Sequence, residues 1–370
     1  MKLTVLLGTR PEAIKLAPVI REARAAGVST QVVFTGQHEH LVRPLTEFFD
    51  FPIDVDLAVA RPNQSLPQFS AETLHQLERH ADRLLPSDWM IVQGDTTSAW
   101  IGAYWAALHR GRGVKIAHVE AGLRTYDLSA PFPEEMNRQL IGRIASVHFA
   151  PTAIAAENLR REGVAEKTIF NVGNPAIDSL LWTRERLTDP AVVAKWGLPA
   201  DVREFARAGD LVLVTAHRRE SFGEGFADIC RGLLDIANSA QNVRIIYPVH
   251  PNPNVKEIVT QKLGGHARIR LIEPLPYVAF VELMDLAKVL LTDSGGIQEE
   301  GPTLRKPIVV MREQTERPEG VQAGFAVLVG TDPARIRAET EKALTQGCRV
   351  NAPNPYGDGN SAQKILRALR

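Results

Sequence analysis

The stretch Lys288-Val289-Leu290-Leu291-Thr292-Asp293-Ser294-Gly295-Gly296-Ile297-Gln298-Glu299-Glu300 decides the fold. Lys288 to Thr292 is a short apolar run of the kind that forms a buried parallel strand. Ile297 to Glu300 and Leu304 suit a helix of about two turns. Gly295 and Gly296 therefore fall where a strand gives way to a helix, and without a Cβ they let a ligand approach the backbone. The first N–H groups of such a helix and its positive dipole end favour a phosphate or carboxylate. Ser294 adds a hydroxyl, and Glu300 is placed to accept hydrogen bonds from sugar hydroxyls. The structural alternative is a tight turn capped by Ser294 or Asp293.

Outward from this stretch the same alternation repeats. In the second half strands are expected at Leu211–Thr215, Val243–Tyr247, Arg268–Ile272, Ile308–Met311 and Ala326–Val329, with helices between them and final helices at Pro333–Thr345 and Ser361–Leu369. In the first half they are expected at Leu3–Leu7, Gln31–Phe34, Trp89–Val92, Lys115–Val119 and Val147–Ala150. The intervening helices are expected at Ala13–Ala26, Val42–Phe49, Leu66–Leu85, Ala99–Leu108, Pro133–Ala145 and Ala153–Glu162. Pro18 is expected to kink the first helix or shift its start. From Ile177 to Gly209 the pattern weakens around Pro190 and Pro199, which reads as a connection. Strand–helix alternation of this kind implies α/β architecture with parallel sheets, and two such halves imply a central cleft at the carboxyl ends of the strands.

Composition narrows the function. The 370 residues suit about two domains. Lys plus Arg and Asp plus Glu are each 43, so no global field draws nucleic acid or a membrane surface. An anionic ligand would be held by local groups. Cys230 and Cys348 are the two cysteines, with no metal-ligand spacing, and fit a reducing cytoplasm. The N-terminal apolar run is too short for a signal peptide or a membrane span, and no other segment is long enough.

The chemistry-bearing residues cluster at strand ends. Arg10, with Lys15 a turn beyond, can hold a diphosphate or satisfy helix carbonyls and Glu12. Asp95 and Glu120 directly follow apolar strands, where partial desolvation suits a carboxyl to acid–base work. Glu134 begins a helix, where a carboxylate also simply complements the dipole. His217 and His250 end strands of the second half, and either can serve a leaving phosphate or be structural. Arg317 is a second anion-binding candidate or a loop ion pair. No zinc spacing, no nucleophile elbow and no Gly-x-Gly-x-x-Gly follow the strands, so neither a metal nor a nicotinamide cofactor is expected.

Taken together, Gly8-Thr9-Arg10-Pro11-Glu12-Ala13-Ile14-Lys15, Gln93-Gly94-Asp95-Thr96-Thr97, His118-Val119-Glu120-Ala121-Gly122-Leu123-Arg124-Thr125, Pro133-Glu134-Glu135, Asn137-Arg138, His217 to Gly223, Pro248 to Pro253, Asp293 to Glu300 and Thr315 to Glu319 resemble the non-hydrolysing UDP-N-acetylglucosamine 2-epimerases. The resemblance spans essentially the whole chain. It implies a GT-B-like fold of two Rossmann-like domains with parallel sheets facing a central cleft. The domains would be residues 1–176, with a C-terminal helix at 356–370 packing back on them, and residues 177–355 as the UDP-binding domain. It implies interconversion of UDP-N-acetylglucosamine and UDP-N-acetylmannosamine by loss of UDP to a 2-acetamidoglucal and re-addition, without cofactor, in a cytoplasmic homodimer feeding polysaccharide synthesis.

By the same resemblance Asp95, Glu120 and Glu134 handle the C2 proton and His217 acts on the diphosphate. Arg10, Lys15, Phe280, Ser294, Gly295, Gly296, Glu300 and Arg317 bind the ligand. Many bacterial members need a second substrate molecule as activator. Glu39-His40-Leu41, Pro44 and Thr73 depart from the pattern there, which implies weak or absent activation. Other readings are a sister epimerase for a UDP-2,3-diacetamido uronic acid, a hydrolysing epimerase, a GT-B glycosyltransferase and a non-catalytic nucleotide-sugar sensor. The uronic acid reading needs a cationic partner for the sugar carboxylate. The glycosyltransferase needs an acceptor site, for which no basic or amphipathic docking helix is present.

Overall fold

Two parallel sheets carry the chain, and the computed structural model describes all residues from Met1 to Arg370. The first half runs β1 (Lys2–Leu7), α1 (Arg10–Ala25), β2 (Ser29–Phe34), α2 (Glu39–Phe48), β3 (Val55–Asp56), α3 (Leu66–Arg79), α4 (Ala81–Leu84), β4 (Trp89–Gln93), α5 (Thr97–Leu108), β5 (Lys115–Val119), α6 (Glu134–Ile144), β6 (Val147–Ala150), α7 (Ala153–Arg161) and β7 (Ile169–Asn171). Next come α8 (Pro175–Arg186), α9 (Pro190–Trp196), α10 (Ala200–Arg207), β8 (Asp210–Thr215), α11 (Glu224–Ser239), β9 (Val243–Pro248), α12 (Pro253–Leu263), β10 (Ile269–Ile272), α13 (Tyr277–Leu286) and β11 (Val289–Thr292). The chain closes with α14 (Gly295–Glu300), β12 (Ile308–Val310), α15 (Pro318–Gln322), β13 (Ala326–Leu328), α16 (Pro333–Gln346) and α17 (Ser361–Leu369).

The first sheet has the order β3-β2-β1-β4-β5-β6-β7, and the second β10-β9-β8-β11-β12-β13, with parallel pairings throughout. In each, the order reverses beside the first strand of its half, where loops from adjacent strands diverge and leave room for a ligand. By packing, Met1–Ser179 with Tyr356–Arg370 is one unit and Leu180–Pro355 the other. Within the first unit α17 lies on α1, and Leu369 accepts a hydrogen bond from the Trp89 indole at 3.1 Å. The central strands are apolar on both faces and buried, as a sheet covered on two sides requires.

Three departures from the sequence expectations have physical causes. Pro18 neither ends nor delays α1, which runs unbroken from Arg10. A proline there has no N–H for the carbonyl of Ile14, and the Ser179 hydroxyl donates to that carbonyl instead at 2.5 Å. Residues 177–209 are not a loose connection but hold most of α8 together with α9 and α10. Pro190 opens α9 behind the Asp189 cap, whose carboxylate accepts the Ala191 N–H at 2.8 Å, and Pro199 stands at the N-cap of α10. These prolines start helices, because the first helical turn needs no N–H. Finally, neither Ser294 nor Asp293 caps α14 through its side chain, and Gly295 and Gly296 are themselves its first residues.

Candidate active site

In the first unit the register Gln93↔Val119 sets the ends of β4 and β5 side by side. The Gly94 N–H donates to the Val119 carbonyl at 2.9 Å, and Gly94 turns with φ +69°. Asp95 and Glu120 leave these strands at neighbouring positions. Glu120 has φ +63°, a left-handed conformation that costs a non-glycine residue roughly 1–2 kcal/mol. Such strain persists only where surroundings enforce it. Here they do. Lys15 Nζ donates to both carboxylate oxygens at 2.6 and 2.7 Å, Asn174 donates at 3.1 Å, and the Gln93 amide donates to Oε2. Glu120 is only 6 % exposed, so its charge is met by an ammonium and two amides in place of water.

Asp95 is held by a guanidinium. Arg138 Nε and Nη2 lie 2.8 and 2.7 Å from one carboxylate oxygen, and the Asn137 amide donates to the Asp95 carbonyl at 2.8 Å. Both residues ride on α6. Glu134 opens that helix three and four residues earlier, so all three share a face. Arg138 also reaches Glu135, at 3.3 Å. Burial pushes the Glu135 carboxyl up, but donation from Gln139, the Thr125 and Tyr126 N–H groups and the charge of Arg138 bring it below the usual range. Glu134, partly exposed, is left as the carboxylate of the group without such a clamp.

His118, on β5 two residues before Glu120, donates from Nε2 to the Gly94 carbonyl at 2.8 Å. Burial lowers its pKa to about 3, so it is a neutral strut under the Asp95 turn. Arg10 opens α1, one turn ahead of Lys15.

In the second unit β8 and β11 are neighbours, with Thr215 opposite Thr292. Asp293 leaves β11 and His217 follows β8. One Asp293 oxygen accepts the backbone N–H groups of His217 and Arg218 at 2.6 and 2.7 Å, and the other lies 3.1 Å from His217 Nδ1. The His217 ring stacks on His250 at 5.6 Å between centroids. Arg317 pairs with Glu299 of α14, and its guanidinium carbon would stand 3.5 Å from a Cβ placed on Gly295. The guanidinium thus lies in van der Waals reach of the start of α14, the helix that follows Ser294 and carries Gly295, Gly296 and Glu300. Phe280 is on α13, and the structure ties it to none of these groups. Of the activator-region residues, Pro44 is exposed on α2, whereas Thr73 is wholly buried on α3 and donates to the Phe69 carbonyl at 2.7 Å.

The groups that sequence reasoning did not single out are the partners: Gln93, Asn174, Arg138 and Glu299. Arg138 had a signal, since its motif was already in hand and it follows Glu134 at helical spacing. Asn174 had none, lying 54 residues from the carboxylate that it serves. No group of three His, Cys, Asp or Glu side chains converges as a metal site. The arrangement provides paired carboxylates beside cations in one unit, and in the other a histidine–aspartate pair near a glycine-led helix and an arginine. It suits proton removal and the holding of an anion.

Comparison with known proteins agrees. The family model described as UDP-N-acetylglucosamine 2-epimerase matches residues 21–370. The UDP-N-acetylglucosamine 2-epimerase of Salmonella typhimurium is 45% identical over 377 residues, covering 100% of this chain and 98% of the relative. That of Escherichia coli K12 is 43% identical over 375 residues, with the same coverage of 100% and 98%. Among solved structures, the UDP-GlcNAc 2-epimerase of Neisseria meningitidis bound to UDP-GlcNAc superposes with a TM-score of 0.87 at 35% identity, covering 100% of this chain and 99% of that one. The Methanocaldococcus jannaschii enzyme in complex with UDP-GlcNAc and UDP gives 0.82 at 34% identity, again with 100% and 99% coverage. The chain, with its two parallel sheets and GT-B-like architecture, belongs to the UDP-N-acetylglucosamine 2-epimerase family.

Proposed function

We propose that the chain interconverts UDP-N-acetylglucosamine and UDP-N-acetylmannosamine without hydrolysis. The observation that supports this most directly is Glu120, a buried carboxylate in a strained backbone conformation, neutralised by Lys15 and adjacent in the sheet to the Asp95–Arg138 pair. The C2 hydrogen of the sugar is not beside a carbonyl, so simple deprotonation is too costly. Loss of UDP from C1 together with the C2 proton gives a 2-acetamidoglucal, and return of a proton to the opposite face with re-addition of UDP completes the inversion. Carboxylates serve the two faces of C2: Asp95, Glu120 and Glu134 are the groups assigned to this work. His217 meets charge developing on the departing diphosphate.

Arg10, Lys15, Ser294, Gly295, Gly296 and Arg317 hold the nucleotide, Glu300 the ribose and Phe280 the uracil, so that UDP and glucal stay in place between the two steps. Finer parts of the reading are a cytoplasmic location, supply of UDP-N-acetylmannosamine to polysaccharide synthesis, and a homodimer. The dimer has support in the exposed Tyr104 and Leu108 of α5 and Leu140 of the adjacent α6. Activation by a second substrate molecule is weak or absent, in keeping with a Thr73 turned into the core.

The test is incubation with UDP-N-acetylglucosamine in D₂O followed by NMR. Deuterium at C2 with accumulating UDP-N-acetylmannosamine is expected. Free N-acetylmannosamine would replace the reading with hydrolysis, and absence of exchange would end it.

A further inference from the structure

We propose that Asp293 is the positioning residue of His217: it fixes a proton on Nδ1 and so leaves Nε2 as the one ring atom that exchanges a hydrogen bond with the departing phosphate. The second half of this statement rests on the proposed epimerase function, and the first does not.

The geometry is restrictive. Asp293 is 1 % exposed, and its Oδ2 is taken up by the N–H groups of His217 and Arg218 at 2.6 and 2.7 Å. The remaining oxygen, Oδ1, is buried without a hydrogen bond of full geometry and lies 3.1 Å from His217 Nδ1. A carboxylate oxygen accepts, so a hydrogen on Nδ1 is what turns this contact into a hydrogen bond. Burial pushes the Asp293 carboxyl up, but the side chain of His217, its charge and the two backbone N–H groups outweigh this and bring it below the usual range. A carboxylate is therefore the form that faces the ring.

The neighbouring imidazole is set the opposite way. The Asn252 N–H points at His250 Nδ1 across 3.2 Å. A backbone N–H can only donate, so His250 carries its neutral-form hydrogen on Nε2. The two rings stack at 5.6 Å with 19° between their planes, yet they present different atoms. Neutral His250 offers a donor at Nε2, and neutral His217 offers a lone pair there. Burial, and after it the charge of His217, holds His250 below the ordinary histidine range, so His250 stays neutral. The other charged group acting on His250 is Asp293, and Tyr247 of β9 also feels the Asp293 charge. The Tyr247 phenol, driven well above its ordinary value by burial, stays protonated and donates to the Ala216 carbonyl at 2.7 Å. Of the two rings, His217 is thus the one whose neutral form presents an acceptor at Nε2.

In the elimination step the C1–O bond breaks and its electron pair moves onto the β-phosphate oxygen. Protonated His217 donates its Nε2–H to that oxygen, while the C2 proton passes to a carboxylate. Re-addition reverses both movements. No electrons enter or leave, and no further reactant is needed.

The experiment uses the whole chain, ¹⁵N-labelled, with ring signals assigned through His217→Asn and His250→Asn. Neutral His217 should appear as the Nδ1–H tautomer and His250 as the Nε2–H tautomer. A neutral His217 protonated on Nε2 would overturn the proposal, and this arm needs no Asp293 variant to fold. In Asp293→Asn the carboxamide oxygen can still accept both backbone N–H groups, while its NH₂ faces Nδ1 and forces the other tautomer. C2 exchange of UDP-N-acetylglucosamine should then lose at least ~100-fold in kcat, by analogy with hydrolase triads, with KM within about threefold. The double variant with His217→Asn should lose no more than His217→Asn alone. Independent, multiplying losses, or an effect confined to KM, would overturn the assignment. Failure of the wild type to exchange C2 would instead remove the epimerase reading and leave the tautomer result to judge the pair.

Discussion

Glu12, in the first turn of α1, and Glu120, just past β5, are both buried carboxylates of the first unit, yet they are satisfied in opposite ways. Glu12 accepts from the Gly8 N–H at 3.1 Å, the Thr9 N–H and hydroxyl at 2.7 Å each, and the Thr96 hydroxyl at 2.8 Å. All are neutral donors, mostly within four residues, and they close the entry to α1 as a capping box does. Glu120 is met by an ammonium and two amides that arrive from three separate segments. Local neutral donors mark a carboxylate that builds the fold. A strained backbone with distant charged partners marks one placed at some cost for chemistry.

Glu120→Gln should break the comparison most sharply. The amide fills the same space and can keep one of the bonds from Gln93 and Asn174, which reach opposite oxygens, but it cannot take a proton. We expect kcat for C2 exchange to fall by about 10³-fold, within the range for loss of a general acid or base, together with a lower thermal midpoint because Lys15 loses its counter-charge. Normal turnover in this variant would reduce Glu120 to the standing of Glu12.

Lys15→Met comes next and acts on stability. Removing one member of a buried pair leaves the other charge uncompensated, and the Lys15 side chain is only 17 % exposed. A loss of about 3 kcal/mol in denaturant unfolding is expected, and adding Glu120→Gln should restore much of it. If Lys15→Met is neutral, or the double variant is no better, Glu120 is not held by charge.

These contrasts show what was legible in the sequence. A parallel strand covered on both faces is a continuous apolar run, so Trp89–Val92 and Lys115–Val119 announced themselves, and a carboxylate just beyond each was bound to lie at the edge of the core. The partners were not legible, because Lys15, Gln93 and Asn174 meet Glu120 only through strand order and the return of the chain after β7. Short edge strands such as Val55–Asp56 and Ile169–Asn171 carry too few residues to show a period. Proline misled in both directions, since its effect depends on where in a helical turn it falls and on whether a group such as the Ser179 hydroxyl takes the freed carbonyl.

His118 sits between the two extremes, a buried group that serves the site without charge. Its folded pKa of about 3 is below the unfolded value of 6.5, so the unfolded chain binds more protons between those limits. Stability should fall as pH drops through that window, by roughly 2 kcal/mol from pH 6.5 to 4.5 on this account. His118→Gln keeps a donor for the Gly94 carbonyl and cannot titrate. Its unfolding midpoint should decline less steeply with acid than that of the wild type, and parallel curves would show that His118 is not the group responsible.

The smallest effect belongs to Glu12→Gln. Burial outweighs the hydrogen bonds from Thr9, Thr96 and Gly8, so the Glu12 carboxyl lies above 4.5 in the folded chain. The folded state therefore binds more protons than the unfolded one from pH 4.5 up to that raised value. Stability contributed by Glu12 is complete below this window and declines as pH rises through it. Glutamine satisfies the same capping geometry, and the Thr96 hydroxyl can rotate to accept from the new amide. At pH 4 the two should be equally stable, and as pH rises towards 7 the variant should become the more stable, while turnover stays within a few-fold. A large loss of kcat with unchanged midpoints would move Glu12 to the catalytic side and erase the distinction between local neutral donors and distant charged ones.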